Sequence, residues 1–233
     1  MEVFITGSSR PSIYPIFWES FKKMVKMDCA SKVTVYEDVI LPIESAKVKE
    51  YIEPKIDAYI EIPFKGLGYI YNEILKKVST RYFLYLQEDW KFLKPIDVDV
   101  LVKIMDDNPF IQQIWFPKFI QGNHWKSLTG EVLTFGDITL TEWQGQKKVS
   151  SSSWAFLPHI VRTDFIREVY KKANCQNELR PESQLKKWIV GQYQKNKKKY
   201  NRLSWILDNR KEYIKHLGIK ELTSRELIRK RKN

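Results

Sequence analysis

The sequence predicts an α/β protein with a mostly parallel central sheet flanked by helices and a basic helical carboxyl end. Three observations predict it. An unbroken apolar run, Tyr82 to Leu86, stops at the adjacent acids Glu88 and Asp89, as a strand buried on both faces does. Just before it, Leu67, Ile70, Tyr71, Ile74, Leu75 and Val78 recur at the spacing of one helix face. The chain begins with the succession strand, turn, helix that opens many α/β units.

The elements follow in order. Glu2 to Thr6 reads as the first strand and Gly7 to Pro11 as a turn. A helix is expected from about Tyr14 to Met27, its apolar face made by Phe17, Phe21, Met24 and Val25. A second strand, Lys32 to Tyr36, ends at the acids Glu37 and Asp38. Gly66 and Gly68 open the helix over 67–78, where bare backbone can approach a phosphate and helix N–H groups point outward. Glu88 and Asp89 then stand at the carboxyl end of a strand, where open α/β sheets bind ligands. Carboxylates there need a positive partner, and a divalent metal with a phosphorylated substrate is the usual one. That they simply begin a solvated loop stays open as the plain alternative.

Beyond residue 108, Ile111 to Phe116, Val132 to Leu140 and Trp154 to Val161 read as strands, and 117–128 as a loop. Four of the eight tryptophans fall here, and Trp125 and Trp143, nearest the loops, suit stacking on a sugar ring. Core packing explains a strand tryptophan equally well. Ser150 to Ser153 reads as a flexible connection beside a lid. A last clear helix starts at Pro181 and carries Leu185, Trp188, Ile189 and Tyr193 as a stripe.

Composition sets the bounds. With 233 residues and 43% hydrophobic content, the chain can bury a real core, and disorder over most of it is excluded. No apolar run approaches the roughly 20 residues that span a bilayer. Acidic Glu2 and an immediate strand argue against a signal peptide, and two cysteines are too few for a disulfide framework. A cytoplasmic setting is expected. From Lys186 onward, 16 Lys and Arg face 4 Asp and Glu, which accounts for the whole net charge of +12. Lys195 to Lys199 and Arg229 to Lys232 are the centres of that basic end. It is expected to make a peripheral contact with anionic membrane surface, or to serve only as a solvated tail.

The segment from Gly66 to Trp90 resembles the central segment of GT-A fold glycosyltransferases. The shared features are a Gly-containing helix start, Asn72 inside the helix, then Arg-Tyr-Phe-Leu-Tyr-Leu and an acidic triplet. In that superfamily the triplet is the DXD motif, which holds a divalent metal against the diphosphate of a nucleotide sugar. The resemblance implies Asp89 as main metal ligand, Glu88 near the ribose or the metal, and Gln87 in the place of the first Asp. That departure weakens the expected site, since an amide binds a hard cation less well than a carboxylate. Thr6-Gly7-Ser8-Ser9-Arg10-Pro11 resembles the first loop of small GT-A enzymes, which wraps base and ribose, with Arg10 toward phosphate. By the same resemblance Glu37 or Asp38 contacts the nucleoside. An acid at a helix start serves many inverting members as general base, a pattern matched by Glu182, with Glu178 behind it. A late histidine contacts metal or diphosphate, and His216, before Leu217-Gly218, suits that role better than His124 or His159.

The resemblance therefore implies a GT-A-like domain over 1–194, with a donor half of about 1–108 and an acceptor half of 109–194. The basic extension follows at 195–233. It implies transfer of a sugar from a UDP- or GDP-sugar to a glycan, glycoprotein or lipid-linked hydroxyl, with Mn2+ or Mg2+ and inversion. Two other readings stay open: a nucleic-acid-binding protein or metal nuclease using the basic end, and an inactive sugar-binding module of the same fold. Nucleic acid is not expected, because the bases are segregated from the acids.

Overall fold

The computed structural model describes residues 1–117, 129–143, 156–175, 181–196, 202–208 and 211–217. The chain runs β1 (Glu2–Gly7), α1 (Tyr14–Met24), β2 (Val25–Lys26), β3 (Lys32–Val39), α2 (Pro42–Ile52), β4 (Ala58–Pro63), α3 (Leu67–Lys77) and β5 (Tyr82–Gln87). It continues through β6 (Trp90–Phe92), β7 (Ile96–Asp97), α4 (Val98–Asp107), β8 (Gln113–Trp115), β9 (Thr129–Phe135) and β10 (Ile138–Trp143). Then come β11 (His159–Arg162), α5 (Thr163–Lys172), α6 (Pro181–Lys195), β12 (Ser204–Leu207) and β13 (Ile214–His216).

A nine-stranded sheet has the order β4-β3-β1-β5-β11-β8-β12-β10-β9. β4, β3, β1 and β5 are mutually parallel, joined by the helical crossovers that parallel pairing requires. β11 runs against β5 and β8, and β10 runs against β12 and β9, so the sheet is mostly parallel.

Strand alternation sorts the core into two layers. Val3, Ile5, Leu84 and Leu86 face a cluster with Phe17 and Phe21 of α1, Val48 of α2 and Leu101 of α4. Phe4, Phe83 and Tyr85 face the opposite cluster, with Ile70 and Tyr71 of α3, Ile166 and Tyr170 of α5, and Leu185 and Ile189 of α6. Two-sided burial is why β5 reads as a continuous apolar run.

The structure corrects three boundaries. The first helix stops at Met24, because Val25 takes an extended backbone and β2 pairs in parallel with β7. The expected strand 132–140 is a hairpin of β9 and β10, turned by Gly136 at φ +59 and Asp137. The strand expected from Trp154 is seen from His159. The Ser150–Ser153 connection, Trp125, His124, Glu178 and the end beyond 217 lie outside the described residues. No described helix is long and apolar enough to cross a membrane.

Candidate active site at the carboxyl edge of the sheet

The parallel strands β1, β3 and β5 deliver three segments to one edge: the turn 8–10, the acids Glu37-Asp38, and Glu88-Asp89. A tight contact between β1 and its neighbours fixes that edge. A Cβ at Gly7 would collide with the Tyr14 hydroxyl and the Glu37 carboxylate, so only glycine fits there. Ser9 follows in the left-handed region at φ 53. It is pinned by its amide to Glu37 Oε1 (2.5 Å) and by its hydroxyl to that of Ser45 (2.7 Å).

Glu88 is fully buried, and one of its oxygens, Oε1, collects four donors. Ser8 gives its amide (3.1 Å) and hydroxyl (3.2 Å). Arg10 gives Nε at 2.8 Å and closes a second bond through Nη2. Arg10 Nη2 also reaches Asp89 Oδ2 at 3.3 Å. The same Oδ2 meets His216 Nε2 at 3.1 Å. Asp89 Oδ1 is buried and has no hydrogen-bond partner.

His216 arrives across 127 positions of sequence because β13 pairs antiparallel with β6, setting His216 opposite Trp90. The imidazole meets the Trp90 ring edge-on at a centroid distance of 4.8 Å. Leu217 N donates to Asp89 O at 2.7 Å, which closes the ribbon onto the acid. The Trp90 indole donates to Gln87 Oε1 at 3.0 Å, so Gln87 braces the ribbon.

The two acids differ electrostatically. Burial pushes the Glu88 carboxyl up, the Arg10 guanidinium opposes this, and the Asp89 charge adds to it. Burial also acts upward on Asp89, yet the His216 hydrogen bond and Arg10 outweigh it and hold that carboxyl below its ordinary value. Asp89 therefore carries the fixed negative charge. Arg10 is only 7% exposed, and the two acids raise its affinity for its proton despite burial.

The other candidate residues are spread around this centre. Glu37, fully buried, accepts from Ser9 N, from the Tyr14 hydroxyl (3.0 Å) and from the Ser45 hydroxyl (3.2 Å). Burial, reinforced by the Glu88 charge, lifts its pKa to about 8. Asp38 accepts from the amides of Lys65 (3.0 Å) and Gly66 (3.3 Å), so two amides at the start of α3 are spent on the chain's own acid. Gly68 is buried, and its carbonyl accepts from the Tyr170 hydroxyl at 2.8 Å. Thr6 lies under the edge, its hydroxyl 3.0 Å from that of Tyr85. Asn72 sits half-buried in α3. Pro181 begins α6, but the Glu182 side chain lies outside the described residues.

Two further candidates from the sequence are held by packing. His159 is fully buried under Tyr85 and Tyr71, and burial holds its pKa down at about 3, so it is a neutral core residue. Trp143 is packed edge-on against Trp115 at 5.4 Å. Sequence reasoning missed Tyr14, Ser9, Ser45 and Trp90, which position the acids. The Ser-Ser pair after Gly7 gave a turn signal but no hint of its partners.

Among the described residues, no group of three or more His, Cys, Asp or Glu is placed to hold a metal ion. Asp89 and His216 offer two candidate ligands. This suits a small divalent cation, which keeps several waters and takes one or two carboxylates plus substrate phosphates. The buried, unpartnered Asp89 Oδ1 is the observation that fits such a ligand.

No protein-family model matches the sequence, and no curated protein matches it. Solved structures do. S. aureus TarS 1-349 in complex with UDP-GlcNAc aligns with 99% of this chain at 14% identity and a TM-score of 0.55. The UDP complex of the same fragment aligns with 92% at 14% identity and 0.56, and longer TarS with 92% at 13% and 0.55. The chain spans 65%, 60% and 36% of those three chains respectively, under two thirds in each case. At these identities the likeness shows the fold alone: this chain has the GT-A-like α/β fold that its central segment resembles.

Proposed function

We propose that this protein transfers a sugar from a nucleotide diphosphate donor to an acceptor hydroxyl. The observation that carries the reading is Asp89, a half-buried carboxylate whose Oδ1 is buried without a partner, set beside Arg10 and His216 at the carboxyl edge of a GT-A fold. Buried acceptors are almost always satisfied, so an orphan on an ionised group at a ligand edge points to a missing positive partner. UDP and UDP-GlcNAc bound in the TarS structures make a UDP-sugar the first donor to test, with a GDP-sugar as comparison.

Asp89 and His216 would hold Mn2+ or Mg2+, which when bound neutralises charge on the departing diphosphate. Arg10 adds a fixed positive charge beside the same phosphates. Ser8 and Arg10 hold Glu88 still, and Gln87 and Trp90 hold the ribbon that presents His216. Glu182, at the start of α6, is proposed to take the acceptor proton, giving inversion by single displacement. Pro181 O lies 3.7 Å from Cys175 Sγ, and Tyr170 links Cys175 O to Gly68, which ties the start of α6 to the start of α3. A glycan, glycoprotein or lipid-linked hydroxyl is the acceptor class, and the basic end after residue 195 is suited to an anionic membrane surface.

The test is release of UDP or GDP from a panel of nucleotide sugars with Mn2+, with and without acceptors. Donor-specific release that Asp89→Asn abolishes supports the reading. Tight donor binding with no release and no transfer favours the inactive sugar-binding alternative. Cleavage of nucleic acid in place of donor chemistry overturns it.

A further inference from the structure

We propose that the groove between α1 and β6 is a docking surface for an anionic lipid bilayer. It is separate from the basic end after residue 195. The proposal goes beyond the donor reading and stands without it.

The groove follows one side of α1 and has a volume of about 710 Å3. Pro15, Ile16, Met24 and Leu93 supply its apolar wall, and Ile16 is 44% exposed. One exposed isoleucine is ordinary. Here it stands beside an excess of positive charge. Lys23 and Lys91 line the same groove, against the single acid Glu19. Lys215 stands directly opposite Lys91 in the β6–β13 ribbon, and both are exposed. Among the described residues, Lys22, Lys23, Lys91 and Lys215 have no ion pair. Like charges directly opposite in an antiparallel pair are destabilising. The ribbon carries that cost, and a negative partner relieves it.

The surplus is local. Past Lys23 and Met24 the groove continues into a hollow of about 560 Å3. There Lys26 lies 3.4 Å from Asp97 and 3.7 Å from Asp28, so its charge is matched. At the ribbon the lysines are not matched.

The chemistry of the face selects what covers it. A second copy in a two-fold contact would set lysines against lysines. The chain's own end, with Arg229 to Lys232, is basic and is repelled. Single-stranded nucleic acid uses aromatic platforms, whereas Trp18, Phe21 and Phe92 are buried here. An anionic bilayer supplies both partners at once. Its headgroups meet the lysines, its acyl boundary meets Ile16 and Leu93, and the lysine stems lie along the apolar wall. β6 begins at Trp90, the residue after Asp89, so docking here brings the candidate site close to the bilayer.

Vesicle flotation of the full chain, without nucleotide, tests this. The vesicles are phosphatidylcholine alone or mixed with phosphatidylglycerol. The wild type runs beside Lys23→Gln/Lys91→Gln/Lys215→Gln and Ile16→Ser. A fourth protein, Arg229→Gln/Lys230→Gln/Arg231→Gln/Lys232→Gln, measures what the basic end contributes. Every changed residue of the groove and ribbon is exposed, so their urea midpoints should match the wild type. The wild type should float with mixed vesicles and not with neutral ones. The triple variant should bind mixed vesicles at least about 30-fold more weakly, since each lysine near an anionic surface is worth about fivefold. Ile16→Ser should weaken binding about threefold. The same three lysine changes should cost the same factor when added to the fourth protein, as independent sites do. A triple variant within twofold of the wild type, or a wild type that floats with neither vesicle, would overturn the proposal. So would full displacement by a DNA duplex or polyglutamate with Ile16→Ser unchanged, which would mark a general polyanion surface. No nucleotide enters the assay, so neither result bears on the donor reading.

Discussion

Two carboxylates stand at the carboxyl ends of β3 and β5, parallel strands on either side of β1, and they are treated in opposite ways. Glu37, near the end of β3, is satisfied by protein donors on both oxygens and is pushed by burial toward its protonated form. Asp89, just past β5, is held ionised by Arg10 and His216 and keeps one oxygen unmatched. Glu37 is wholly buried, whereas Asp89 buries Oδ1 but keeps part of its side chain open to solvent. The difference is that the first closes on itself and the second leaves a vector for a ligand. The satisfied acid serves architecture, and the under-satisfied one is the ligand contact proposed above.

The sharpest way to break that contrast is to remove the unmatched acid. Asp89→Asn keeps the shape and should weaken metal-dependent nucleotide binding at least 100-fold, about 2.7 kcal/mol, read by calorimetry. The matching change on the architectural side is Gly7→Ala, which drives a methyl into Tyr14 and Glu37. It should cost about 3 kcal/mol of stability in urea unfolding, as overpacking does.

Glu37→Gln separates the two acids by pH. A carboxyl raised from 4.5 to about 8 in the folded state is protonated there while the unfolded chain is ionised. The folded state then binds more protons, so this group's stabilisation is complete below pH 4.5 and is lost as pH rises to 8. Its slope is on the order of 1.4 kcal/mol per pH unit. Glutamine mimics the protonated acid, so the variant should lose that slope between pH 5 and 8 in denaturant titrations. An unchanged slope would mean that Glu37 is ionised and that the contrast with Asp89 is false. The smallest effect is expected at the rim. His216→Gln removes a half-exposed partner of Asp89 and should weaken Mn2+ binding in the presence of UDP about tenfold.

Much of the stretch 1–108 was legible in the sequence because local signals and global packing agree there. The two-sided burial of β5 wrote itself as an apolar run, and α3 as a clean stripe ending at Val78. The pairing of Asp89 with His216 was anticipated through the resemblance, although nothing local joins residues 127 positions apart. What stayed hidden was set by tertiary partners. The end of α1 depends on a ladder between β2 and β7, invisible in a stretch whose apolar pattern continues through Val25. Glu37 and Asp38 look like ligand contacts in sequence, but Tyr14, Ser45 and the amides of Lys65 and Gly66 reach them only after folding. The β9–β10 hairpin was read as one strand because Gly136-Asp137 interrupts an otherwise β-prone run.

Asp89 is proposed to mark a metal-dependent nucleotide site. Thermal unfolding of the wild type and Asp89→Asn with UDP or GDP, each with and without Mn2+, tests it most directly. A ligand at 100 times its dissociation constant should add about 2.7 kcal/mol to the folded state. Tm should rise clearly for the wild type with one nucleotide plus Mn2+, and not for the variant. A folded wild-type protein whose Tm ignores every nucleotide–metal pair, or a variant that responds equally, would contradict it.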